Sequence, residues 1–132
     1  MVVMRQFSFE KLEVRQLSKM SAVVIYKISN NFPKEKKYGL SSQIRRAIIS
    51  VSSNIAEGSS RQSGIEQARH TEIAYGSLSE VLNQLILASD LEYISVKEVE
   101  SLRPKIEELV NKLYKLRLSQ LNKNKKTKTL NN

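Results

Sequence analysis

Between residues 40 and 58, Leu40, Ile44, Ala47, Ile48, Val51 and Ile55 recur at steps of three and four. That spacing lays one apolar stripe along a helix. Gln43, Arg45, Arg46, Ser50, Ser53, Asn54 and Glu57 flank the stripe, and Gly39 and Gly58 bracket it. The second glycine stands where a left-handed C-terminal cap is common. The same period appears earlier in Leu12, Leu17, Met20, Val24 and Ile28, and predicts a first helix from Ser8 or Phe9 to Asn31. Ser8 suits its N-cap. Phe32-Pro33 ends it, because proline disfavours helical geometry in the residue before it. PKEKKYG, residues 33–39, is then a basic connector, and the second helix starts at Leu40 to Ser42.

After the polar loop GSSRQSG, Ser63 with Glu66 forms a capping box that opens a third helix. Its stripe is Ala68, Thr71, Ala74, Tyr75, Leu78, Leu82 and Leu85, ending near Ser89 to Leu91. Gly76 and Ser77 in its middle predict close approach of another backbone. Ser95 with Glu98 is a second capping box, opening a fourth helix with Val99, Leu102, Ile106, Leu109, Val110, Leu113 and Leu116 inward. Pro104 predicts a kink or break near Ser101, since it removes a hydrogen bond and clashes with the preceding turn. From Asn122 onward the Asn/Lys/Thr composition predicts disorder. The pattern therefore predicts an all-α, up-down-up-down four-helix bundle over residues 1–121 with a basic tail at 122–132. Apolar runs at Ala22–Tyr26, Ala47–Ile49 and Leu85–Ala88 are wider than one stripe. The surplus predicts a second buried surface, hence a homo-oligomer.

Composition narrows the function. The 132 residues contain no cysteine, so disulfides, thiolate metal sites and cysteine nucleophiles are out. No apolar run approaches the roughly 20 residues that span a bilayer, and no signal-peptide pattern appears. A cytoplasmic protein without membrane partners is expected. The net charge is +9, with eight Lys/Arg against three acids in residues 1–39, four against six in 40–92, and ten against four in 93–132. From Lys115 to the end there are six basic residues and no acid. A polyanionic partner fits that distribution. Lys11, Arg15, Lys19 and Lys27 on the first helix, with Lys115, Arg117, Lys123, Lys125 and Lys126 on the fourth and the tail, predict a joint basic face wherever those helices are neighbours. Such a face reads phosphates rather than bases. The aromatics for stacking are few, three Phe and five Tyr with no Trp.

Enzyme readings find little support. His70 is the single histidine, which excludes a bundle di-iron site built on two Glu-x-x-His pairs. It is expected at a surface or interface. There is no glycine-rich phosphate loop. No catalytic residue, metal ligand or cofactor is therefore expected. Arg45 and Arg46 point about 100° apart on one helix. Either one pairs with a carboxylate such as Glu57 or Glu80 while the other is solvated, or one reaches a phosphate or fixes a subunit contact; the first reading is preferred. Asn54 and Glu57 are expected to bond helix to helix.

FEKLEV near the start, NFPKEKKYGLSSQIRRAIISVSSNIAEGSSR through the second helix and IAYGSLSEVLNQLILASDLEYI in the third together resemble the bacterial four-helix-bundle family of proteins encoded by intervening sequences in 23S ribosomal RNA genes. That family is ribosomal-protein-like and similar to the accessory variability protein of diversity-generating retroelements. The resemblance implies a four-helix bundle assembled as a five-membered ring. It also implies an RNA-related role without established enzymatic activity, or a protein partner such as a reverse transcriptase. Gln43, Arg45, Arg46, Asn54, Glu57 and Gly58 match the family motif and serve assembly or binding. The favoured function is RNA binding through phosphates by a basic oligomer, the alternative an oligomeric adaptor that docks a protein.

Overall fold

The computed structural model describes residues 12–33 and 39–131, with side chains as far as residue 123. Four helices occupy them, α1 (Glu13–Ser29), α2 (Leu40–Ser59), α3 (Gly64–Asp90) and α4 (Val96–Asn131), and there is no strand among the described residues. Each packs on the one before, and α4 returns against α1. Partners confirm antiparallel neighbours: Ser50 meets Ser77 while Asn54 meets His70, and Glu13 meets Lys112. This is the four-helix bundle that the hydrophobic period predicts. The core draws on every helix, with Ile25, Ile44, Ile48, Val51, Leu78, Val81, Leu85, Leu109 and Leu113 essentially inaccessible.

Helix ends follow local chemistry. The hydroxyl of Ser63 accepts from the Glu66 amide at 3.1 Å, opening α3. At α4 the box is reciprocal: Ser95 Oγ accepts from the Glu98 amide at 3.1 Å, and Glu98 accepts from the Ser95 amide at 3.4 Å. Between them α3 closes with Tyr93 N–H on Ala88 O and Glu92 N–H on Ser89 O, the Schellman pattern, with Glu92 at φ 63° where glycine is usual. Phe32 is buried under that turn and lies against Tyr93, ring centroids 5.7 Å apart.

Four expectations are corrected. α1 begins at Glu13 rather than continuing unbroken from Ser8, because Leu12 has extended backbone (ψ 133°); Ser8 itself lies outside the described residues. Gly58 is not a left-handed cap, since no described glycine has positive φ and the helix runs on to Ser59. A Cβ there would stand 2.9 Å from His70 Cβ, so the glycine lets α2 and α3 approach. Gly76, expected in that role, has nothing within 4 Å of a built Cβ. α4 passes through Pro104 without a break. The missing N–H deprives only the Glu100 carbonyl, in a stretch open to solvent. The backbone of α4 runs on past Asn122 to Asn131.

Candidate nucleic-acid interface

The expected basic face needs α1 beside α4, and the two are neighbours, though their seam is the slightest in the bundle. Lys112 Nζ lies 2.9 Å from Glu13 Oε1 across it. That hydrogen bond raises the lysine above its ordinary pKa. Under the same seam sits an apolar cavity of ≈ 40 Å³ lined by Met20, Val24, Ile48, Val81, Leu102 and Ile106, with Lys105 at its edge. Helical spacing then sorts the cations. Lys105 and Lys112 are seven apart and Lys123 eleven further on, so all three follow the α1-facing flank of α4. Lys27 is seven after Met20 and belongs to the same edge, with exposed Lys115 one position round.

The remaining predicted positions go elsewhere. Arg15 and Lys19 share the opposite flank of α1 with Tyr26, which α2 contacts through Arg45. Arg117 faces α3, where its Nε is buried 3.9 Å from Glu72 Oε2. It lines a hollow with Tyr75, Leu113 and Tyr114, turned from α1. The predicted face is therefore divided, and Lys105 and Lys112, which the sequence reading did not select, complete the α1–α4 part. Their heptad spacing was the available signal. Lys11 and the side chains of Lys125 and Lys126 lie outside the described residues. Glu13, Glu98 and Glu108 interrupt the edge, so its field is moderate.

Of the family-motif residues, Arg45, Asn54 and Gly58 touch a neighbouring helix. Among the described residues Arg45 pairs with no carboxylate: it donates to Ser29 Oγ and Asn30 Oδ1, each at 2.7 Å, and to the Tyr26 carbonyl at 3.4 Å. Its guanidinium lies 4.8 Å from the Tyr26 ring centroid. It thus satisfies the carbonyl end of α1, where a cation also suits the helix dipole. Arg46 is exposed, as is Gln43. Asn54 donates to the Ser50 carbonyl at 2.9 Å, which leaves its oxygen to accept from His70 Nδ1 at 3.0 Å and assigns the proton to that nitrogen. Glu57 pairs with Arg61 in the loop that follows α2, not with another helix. Thr71, buried, donates to Gln120 Oε1 at 2.7 Å and so ties α3 to α4. Its polarity is structural.

Comparison with known proteins gives this arrangement a class. The family model of the 23S rRNA-intervening sequence protein matches residues 10–115, most of the chain. The chain belongs to that family. Among solved structures it is similar to a protein of unknown function from the S23 ribosomal protein family of Bacteroides thetaiotaomicron, with 29% identity and a TM-score of 0.70. The match covers 79% of this chain and 97% of the other. No curated protein matches. Among the described residues no helix is long and apolar enough to cross a membrane.

Proposed function

We propose that this protein is a non-catalytic, cytoplasmic nucleic-acid-binding protein that works as a homo-oligomer and holds RNA by its phosphates. The observation that supports this reading is the line Lys27, Lys105 and Lys112 on the α1–α4 edge, continued along α4 by Lys115 and Lys123. It adjoins the acid-free C-terminal stretch. The family's link to 23S rRNA intervening sequences makes RNA the favoured polyanion. Lysines supply point charges without a base-reading fork, so affinity rather than sequence choice is their contribution.

The test is binding of labelled single-stranded RNA, structured RNA and duplex DNA over a salt series. Affinity should fall steeply with salt, with a log–log slope of roughly 0.7 to 0.9 per phosphate contact. Lys112→Glu with Lys115→Glu should flatten that slope. Absence of binding at low salt from folded protein would overturn the reading. A second reading, an adaptor related to the accessory variability protein that docks a reverse transcriptase or other protein, draws on exposed apolar residues such as Ile73, Leu87 and Leu91. It predicts protein capture with no salt-dependent RNA affinity. The mass of the free protein tests the five-membered ring.

A further inference from the structure

Two tyrosines stand in solvent on the α3–α4 flank, Tyr75 at 39% and Tyr114 at 55% exposure, and both border hollows between those helices. The smaller hollow, ≈ 250 Å³, is lined by both rings and by the buried Leu113, with Glu72 and Arg117 beside them. The larger, ≈ 520 Å³, shares Tyr75 and continues along Leu82, Asn83, Ile86, Val110 and Asn111. Donors and acceptors are mixed around these apolar floors. The Nε of Arg117 is buried and donates no hydrogen bond among the described residues, since Glu72 Oε2 at 3.9 Å is out of reach. Asn83 and Asn111 are exposed, and each amide carries both a donor and an acceptor. Glu72 has Arg117 beside it and Glu107 has Arg103, so the flank is close to neutral.

A flat body with apolar faces and a polar edge fits such a place, and an unpaired nucleobase is one. We propose that this flank takes bases of single-stranded RNA, one against Tyr114 with its edge toward Arg117 and Glu72, the next against Tyr75 toward Asn83 and Asn111. Aromatic side chains hold unpaired bases by stacking, whatever the base, because every base has a π-face. A duplex keeps its bases stacked inside and cannot enter. The phosphates have a route to the cations: Lys115 follows Tyr114 and points about 100° further round α4, between Tyr114 and Lys112. A strand seated by its bases on the α3–α4 flank therefore crosses the outer face of α4 onto the lysine line. An apolar helix of a protein is a poorer occupant, since it would bury Glu72, Glu107 and both amides without offering them hydrogen bonds. This inference rests on the RNA reading of the proposed function and adds to it a preference for unpaired bases.

The experiment uses the full-length protein and three labelled probes of equal length: an unstructured single-stranded RNA, a blunt RNA duplex, and a strand with the same sugar-phosphate backbone but abasic positions. Tyr75→Ala and Tyr114→Ala should each weaken single-strand binding about five- to hundredfold. Tyr114→Phe should keep it, and none of the three changes should alter binding of the duplex or the abasic strand. The unaltered protein should hold the abasic strand more weakly than the RNA by a similar factor. Both tyrosines are exposed, and circular dichroism checks that helix content is kept. Should an alanine variant lose it, the abasic strand against the unaltered protein gives the same answer. Alanine variants that bind single strands as well as the unaltered protein does, or that lose duplex binding equally, would overturn the base site and leave the phosphate reading standing. A fall in the mass of those variants by light scattering would overturn it too, by showing that a second copy covers the hollows. Binding of neither RNA form at low salt would overturn both readings.

Discussion

The α2–α3 seam and the α1–α4 seam belong to one bundle but are held in different ways. Across α2 and α3 the backbones approach at Gly58, where a Cβ would meet His70 Cβ at 2.9 Å. Two polar ties fix the register, Ser50 to Ser77 at 2.9 Å and Asn54 to His70 at 3.0 Å. Across α1 and α4 the tie is the surface pair Lys112–Glu13, over an apolar cavity of ≈ 40 Å³. Small and short polar side chains make a close, register-specific seam; long cations make a looser one, and their ammonium groups stay at the surface.

Added volume should therefore act with opposite sign at the two seams. Gly58→Val forces α2 from α3, and overpacking of this kind costs about 1–3 kcal/mol or more. Its melting temperature should fall further than that of any other variant named here. Asn54→Ala leaves His70 Nδ1 without its partner in a half-buried site; about 1–2 kcal/mol should be lost in urea unfolding. At Gly76, where a Cβ meets nothing, Gly76→Ala should raise stability by about 0.5–1 kcal/mol. Val24→Ile puts one methylene toward the cavity and should be neutral or stabilising by up to about 1 kcal/mol. A loss there comparable with Gly58→Val would erase the contrast between the seams.

The smallest effect concerns pH. Lys112 is raised by its hydrogen bond to Glu13, so its contribution is fully present below the ordinary lysine pKa. It is lost as pH rises through the raised value. Stability curves of the protein and of Lys112→Met should differ at neutral pH and converge in strong alkali. A difference that grows with alkalinity would contradict the assignment.

The fold was legible because its evidence is periodic. The stripes in α2 and α4, both capping boxes and the Phe32-Pro33 stop depend on neighbours three or four residues away, which sequence shows directly. α3 was harder to read. Its inward set includes Val81 and Ala88, while Tyr75 is exposed, because over 27 residues the 3.6-residue period drifts and neighbours change. The candidate interface was only half legible. Charge counts found the basic ends, but which flank each cation occupies depends on which helix lies beside it.

The sequence by itself determined four amphipathic helices, the capping boxes of α3 and α4, the excess of positive charge at the two ends and the surplus of apolar residues. Those are local or summed properties, set by side-chain type and spacing. Only the tertiary structure decided that Gly58 rather than Gly76 is the close approach and that Arg45 secures the end of α1 through Ser29 and Asn30. It likewise separated Lys19 from Lys112 and turned Arg117 to α3. Each of these depends on contacts between residues up to 99 positions apart, as Glu13 and Lys112 are. Such contacts arise from how whole helices pack, and no short window of sequence contains both partners.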